Sequence, residues 1–215
     1  MLKIVDPDIE DHIRRLYDDA DPVRLEMEAL ARERRFPIVG PLVGRQLLQL
    51  TLAIGARRVF ELGSGYGYSA LFFARGVGEG GEVHCTDLSE ENVRLAEAFL
   101  RRAGIWTCVT YHREEATAAL RRAGGAWDIV YNDIDKVGYP ETVDLAYRQL
   151  RPGGLFISDN VLWSGRVLDG EDDGKPDTAG IKEFTRRLFA HPGFLTRIDP
   201  TRDGVAVALR VGQGD

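Results

Sequence analysis

Apolar positions recur along this chain in two rhythms. Between residues 6 and 35 the rhythm is helical: Leu16, Val23, Met27 and Leu30 fall at helix-like spacings among charged neighbours. Pro22, directly after Asp21, predicts a second helix start within that stretch. Pro37 and Pro41 punctuate a loop. An amphipathic helix is predicted over 42–54, stopped by Gly55. Beyond it, short apolar runs alternate with helical stretches. Strands are predicted over 58–62, 82–87, 106–112, 127–133 and 155–159. Helices are predicted over 69–76, from a Ser89 cap to Gly104, and over 115–124, 139–150 and 178–190. Residues 194–198 and 205–211 read as a closing antiparallel pair, and 169–177 as a polar, flexible loop.

Strand and helix in alternation imply an α/β protein: a mostly parallel sheet with helices on both faces. The run Ile129-Val130-Tyr131 suits a strand buried on both sides. No internal repeat, low-complexity segment or long linker interrupts the pattern. A single domain is therefore expected over 1–215, with 1–35 as a helical extension.

Composition changes this picture little. The 215 residues suit one large domain or two small ones, and 44% hydrophobic content supplies a full core. No run approaches the ~18 apolar residues of a membrane helix. The first ten residues lack a basic-then-apolar leader. Cys85 and Cys108 make no disulfide framework, so a reducing cytoplasm is the expected location. The net charge of −6 argues against a general nucleic-acid binder. Arg32, Arg34 and Arg35 form a local basic patch, for which a solvated helix face is the plainer reading.

The first candidate chemistry lies in Glu61-Leu62-Gly63-Ser64-Gly65-Tyr66-Gly67-Tyr68-Ser69, between a strand and a helix. Ligands of open α/β sheets bind outside strand carboxyl ends, and glycines there admit a ligand close to the backbone. A dinucleotide fingerprint needs glycine at Tyr68, and a phosphate loop needs a lysine that is missing. A nucleoside carrying an amino acid fits better. Gly63 to Gly67 would accept its compact end, Ser69 its carboxylate, and Asp87, ending the next strand, its ribose hydroxyls. A tight turn without a ligand and a solvated strand-end acid are the bland alternatives.

The second lies in Asp133, Asp159 and Asn160. Both acids end predicted strands, and neighbouring parallel strand ends stand about 5 Å apart. Three hard oxygens with two charges suit Mg²⁺ or Mn²⁺. Unrelated strand-end acids, or helix caps, would look the same from sequence. His12, His84, His112 and His191 are scattered, without zinc-like spacing. Lys136 follows Asp133 closely enough to reach that site, where a nearby dication would favour its neutral, basic form; a surface charge is its plain alternative.

Together these segments resemble the cation-dependent O-methyltransferases, the group of catechol and caffeoyl-coenzyme A O-methyltransferases and their bacterial relatives. The resemblance runs from about Arg32 to Leu209. It rests on Glu61-Leu62-Gly63 with Gly67 and Ser69, Asp133-x-Asp135-Lys136-x-x-Tyr139, Leu150-x-x-Gly153-Gly154, Asp159-Asn160-Val161-Leu162-Trp163-x-Gly165, and Asp203-Gly204. It implies a doubly wound, Rossmann-like sheet of seven strands with the last reversed, and a homodimer. It implies that Glu61, Gly63, Ser69 and Asp87 hold S-adenosylmethionine. Glu115 and Ala116 match the adenine site, and Val39 the methionine end. Asp133 is carried over in three roles: cofactor contact, catalysis, and metal binding with Asp159 and Asn160. The metal is Mg²⁺, Mn²⁺ or Ca²⁺. Lys136, with Asp135 nearby, matches the base that takes the acceptor's proton. Trp163 matches an aromatic beside the acceptor, or else packs in the core.

The chain also departs from that pattern. Asn132 stands where an apolar residue is usual, and Ile134 where a small one is. The usual Leu-Pro-x-Gly-Asp-Gly ending reads Asp199-Pro200-Thr201-Arg202-Asp203-Gly204, which bears on the acceptor pocket. The expected acceptor is a small vicinal diol. A 5-hydroxyuridine of transfer RNA, contacted through 32–35 and Arg45, is one rival. A nicotinamide-dependent dehydrogenase and a non-catalytic nucleoside-binding scaffold are others.

Overall fold

The computed structural model describes residues 4–17 and 20–212. Two helices lead in. α1 (Pro7–Arg15) is capped by Asp6, whose carboxylate accepts from the Asp8 N–H at 2.8 Å, and buries none of its residues. α2 (Pro22–Arg34) is capped in the same way by Asp21 and buries Val23, Met27 and Ala31. α3 (Gly40–Ala53) follows and ends before Gly55, at φ 59°.

The alternation predicted from sequence then appears as β1 (Arg58–Leu62), α4 (Tyr68–Val77), β2 (Glu82–Thr86), α5 (Glu90–Arg102), β3 (Val109–His112), α6 (Ala116–Ala123), β4 (Trp127–Asn132), α7 (Tyr139–Gln149), β5 (Leu150–Ser158), α8 (Pro176–Ala190), β6 (Phe194–Asp199) and β7 (Val205–Arg210). The seven strands form one sheet in the order β3-β2-β1-β4-β5-β7-β6. β1 to β5 pair in parallel, and β7 is inserted antiparallel between β5 and β6. Strand order reverses between β1 and β4, which places a crevice outside their carboxyl ends.

Successive strand residues feed opposite core layers, as the period of two requires. Val59, Ile129, Tyr131 and Ile157 pack with α2 to α5, while Phe60, Leu62, Val130 and Phe156 pack with α6 to α8. Each such side chain, removed from water, contributes about 1.5–3 kcal/mol. With both faces covered, every residue of β4 is buried. No helix among the described residues is long and apolar enough to cross a membrane.

Two stretches differ from expectation. Over 106–112, Trp106–Cys108 form a 3-10 turn and only Val109–His112 are strand. The five-residue β2 is the reason: its ladder reaches β3 only from Val83↔Val109 to Thr86↔His112. β5 begins five residues before its predicted start, because Leu150 pairs with Trp127 across a register shift. The polar stretch 169–177 is irregular up to the start of α8, as predicted, and its carboxylates bond within it and to α8. Asp173 accepts from Thr178 Oγ1 (2.6 Å) and the Lys175 N–H (3.1 Å), and Asp172 pairs with Lys182 (2.6 Å).

Candidate active site

The loop after β1 turns through three left-handed glycines: Gly63 (φ 80°), Gly65 (50°) and Gly67 (86°). Glycine is required at 63 for a second reason. A Cβ there would lie 2.5 Å from the carbonyl oxygen of Asp133. Thr86 clamps the loop to β2: its hydroxyl accepts from the Gly63 N–H (2.9 Å) and its carbonyl from the Ser64 N–H (2.8 Å). The Tyr111 hydroxyl donates to the Gly65 carbonyl at 2.9 Å. α4 starts at Tyr68, so its first N–H groups are presented beside the loop, where an anion is favoured.

Glu61 lies fully buried behind this turn. The Ser69 hydroxyl donates to one carboxylate oxygen, and the Cys85 thiol approaches the other at 3.6 Å. Burial raises the Glu61 carboxyl to about 7, against the lowering effect of these bonds. Asp87, past the end of β2, accepts from the Ser89 N–H (2.7 Å) and the Asn92 amide (3.1 Å), both on Oδ1. Neither of these bonds uses Oδ2. Glu115 caps α6, taking the N–H groups of Thr117 (2.8 Å) and Ala118 (2.7 Å).

The two strand-end acids come together as the parallel ladder dictates. Asn132 is paired with Ser158, and Asp133 and Asp159 are the next residue on each strand. The Asp133 N–H donates to Leu62 O (2.9 Å), and the Asp159 N–H to Asn132 O (3.2 Å). Asp159 is buried. Desolvation, and next the charge of Asp133, push its carboxyl up to about 7. Its Oδ1 has no hydrogen-bond partner. Asn160 follows in the left-handed region at φ 58°, which asparagine tolerates better than most residues.

Lys136 Nζ donates to Asp133 Oδ1 (2.7 Å), the Tyr139 hydroxyl (2.9 Å) and Ile134 O (3.2 Å). Three acceptors around one nitrogen suit an ammonium. Tyr139, fully buried, donates its own hydroxyl hydrogen bond to Asp159 O at 3.1 Å and so ties the lysine to both strand ends. Trp163 is held by an indole bond to Thr178 Oγ1 (3.1 Å) and by the Arg166 guanidinium over its ring at 4.6 Å.

One cavity of about 760 Å³ joins these groups. Val39, Gly63, Ser69, Asp87, Glu115, Ala116, Asp133, Lys136, Asp159, Asn160 and Trp163 all line it. Glu61 does not. It stands one hydrogen bond behind Ser69, which does line the cavity. Tyr139 was legible only as a landmark of the resemblance; that its hydroxyl joins Lys136 to the strand ends is a three-dimensional fact. A second cavity of about 680 Å³ shares Asp159 and Asn160 and extends toward α1 and α2, lined also by Pro37, Ile38, Arg32, Arg202 and Asp203. Of the basic patch, Arg32 reaches this cavity, Arg34 pairs with Glu91 at 2.6 Å, and Arg35 ends α2 with φ 52°. Arg45 stacks on Tyr17 at 4.4 Å.

A divalent cation fits these residues. Two carboxylates forced together by register, one with a buried, unpartnered oxygen, form a donor set that a cation would complete. Asn160, which lines the same cavity, could offer its amide oxygen as a third donor. Among the described residues no group of three His, Cys, Asp or Glu gathers as an alternative metal cluster.

Comparison with known proteins gives a consistent result. Residues 37–211 match the family model described as O-methyltransferase. A catechol O-methyltransferase of Niastella koreensis is 30% identical over 184 residues, spanning 80% of this chain and 81% of that protein. A catechol O-methyltransferase of Mycobacterium tuberculosis is 33% identical, spanning 77% of each. Among solved structures, an O-methyltransferase from Bacillus cereus in complex with SAH superposes with a TM-score of 0.83 at 26% identity, over 94% of this chain and 96% of that one. A methyltransferase from Geobacter sulfurreducens does so with a TM-score of 0.84 at 27% identity, over 98% and 100%.

Proposed function

The chain belongs to the O-methyltransferase family, and from that premise we propose that it transfers a methyl group from S-adenosylmethionine to one hydroxyl of a small vicinal diol, with a divalent cation on Asp133, Asp159 and Asn160. The observation that carries this reading is the shared cavity. It joins a glycine-rich strand–helix turn, suited to a nucleoside-linked amino acid, to a pair of acids with an unsatisfied buried oxygen. The catechol O-methyltransferase relatives and the SAH-bound neighbour support it.

In this reading Ser69 and the first turn of α4 hold the cofactor's carboxylate, and Glu61 aims the Ser69 hydroxyl. Asp87 Oδ2 accepts from the ribose. Val39 borders the methionine end, and Glu115 and Ala116 the adenine. The sulfonium supplies the methyl group. Mg²⁺, or Mn²⁺ or Ca²⁺ in its place, would polarise the diol oxygens and lower the pKa of one hydroxyl. Lys136, as the neutral amine that a bound dication would favour, is the group placed to take that hydroxyl's proton, with Tyr139 holding its nitrogen at the acids. Trp163 walls the acceptor side. The residues act mainly by fixing two reactants in line, an effect worth several kcal/mol of barrier. The same proposal includes a homodimer and one domain over 1–215.

The test is methyl transfer from labelled S-adenosylmethionine to catechol, a caffeoyl thioester and 5-hydroxyuridine-containing transfer RNA, with and without chelator. A small diol is expected to be methylated, and chelator to stop the reaction. Asp159→Ala is expected to lower kcat by about 100-fold or more while cofactor still binds. Full activity in chelator or in that variant would refute the metal assignment. Exclusive use of the RNA would refute the acceptor.

A further inference from the structure

Arg202 holds a backbone conformation that arginine rarely adopts, with φ 52° in the turn between β6 and β7. This is the position at which the family's usual ending has glycine. The turn closes without the guanidinium: Gly204 N–H donates to Thr201 O (3.0 Å), and the Asp199 carboxylate accepts from the Thr201 hydroxyl (2.6 Å). The side chain instead crosses to the segment before α3. There its Nη1 donates to the Ile38 carbonyl at 2.8 Å, along the wall of the second cavity. Arg32, on α2, lines the same cavity.

Among the described residues, neither arginine makes an ion pair with a carboxylate. Most of the acids facing them are already engaged, Asp159 with its unpartnered Oδ1 excepted. Glu10 pairs with Arg14 at 3.1 Å, Glu28 takes Arg24 and the Tyr68 hydroxyl (2.7 Å), and Asp203 takes the Ser164 N–H. Asp133 holds Lys136. Two guanidinium groups therefore flank the space that ends at Asp159 and Asn160; the charge of Arg202 acts on Asp133, Asp159 and Asp203 without an ion pair to them, and a cation held by those acids would leave it open to another anion. Planar guanidinium groups bind carboxylates through paired, charge-assisted hydrogen bonds.

We propose that Arg202, together with Arg32, binds a carboxylate carried by the acceptor, so that the preferred substrate is an acidic vicinal diol. This rests on the O-methyltransferase reading and deepens it. The diol end lies at Asp159 and Asn160, and the acid end lies toward α2. A protein of net charge −6 that uses an anionic substrate needs a local positive site of this kind.

The experiment compares initial rates on 3,4-dihydroxybenzoate and on its neutral methyl ester, with 3,4-dihydroxybenzylphosphonate as a third arm. The wild type is expected to favour the carboxylate by about tenfold or more in kcat/KM, mostly through KM. Arg202→Gly, which the backbone accommodates, is expected to bring the ratio near one, and Arg202→Lys to keep part of it. Arg32→Gln, on an exposed helix position, is expected to lower it independently. Equal use of acid and ester by the wild type overturns the inference and leaves the O-methyltransferase reading standing. So does a ratio unmoved in all three variants, the result expected if Arg202 only offsets the Asp133–Asp159 pair. A phosphonate used better than the carboxylate overturns the carboxylate assignment. No methylation of any arm overturns both readings.

Discussion

Replacing Glu61 by glutamine should flatten the pH dependence of folding in a defined window. The carboxyl is fully buried, and desolvation lifts it from an ordinary 4.5 to about 7. The folded protein therefore keeps this proton between those limits while the unfolded chain gives it up. Stability from this group is full below about pH 4.5, falls as pH rises through 7, and is level above it. At about 1.4 kcal/mol per pH unit, the loss is about 3 kcal/mol. For a chain of this size that is roughly 6–12 °C in Tm. Glutamine has nearly the same shape, can still accept from the Ser69 hydroxyl and carries no charge to bury. The assay is urea denaturation of both proteins at pH 5, 6, 7 and 8 in chelator, read as the difference between their stabilities. That difference cancels Asp159, which titrates in the same range. Expected is a variant that gains on the wild type by about 3 kcal/mol from pH 5 to pH 8. Parallel curves would refute the reasoning, since Glu61 would then ionise as freely in the folded protein as in the unfolded chain.

Asp87→Ala should weaken SAH binding by about tenfold to a hundredfold, the worth of one or two hydrogen bonds to a charged acceptor, and calorimetry giving an unchanged Kd would remove the ribose role. Gly63→Ala should cost about 2 kcal/mol or more in denaturation, because φ 80° and a backbone oxygen 2.5 Å from the new Cβ leave no relaxed position; a variant as stable as wild type would mean that the loop is free to shift.

The placement of Asp133, Asp159 and Asn160 was legible because a parallel sheet collects strand carboxyl ends at one edge, and alternation alone identified the strands that do so. The same alternation puts Glu61 on the α4 side of β1, with Val59, and so behind Ser69. It cannot say whether a side chain on that side reaches the ligand or stops at the serine. Trp106 to Cys108 looked like strand because their own residues suit one, but extension depends on a partner, and β2 is too short to provide it. Asn132 broke the apolar pattern without displacing β4. It is buried, and its amide nitrogen faces the Ser158 hydroxyl at 3.5 Å. The role of Tyr139 and the path of Arg202 arise from contacts between segments far apart in sequence, which no local spacing encodes.

The close seating of Gly63 on the Asp133 backbone makes the floor of the cavity a single rigid tile. Donor and acceptor ends cannot slide relative to one another without tearing the β1–β4 ladder beneath them. The roof is assembled from separate pieces: α1, α2, the turn around Trp163, and the bend that carries Arg202. Drift in those pieces can re-tailor what the enzyme accepts while the reacting geometry below is inherited intact.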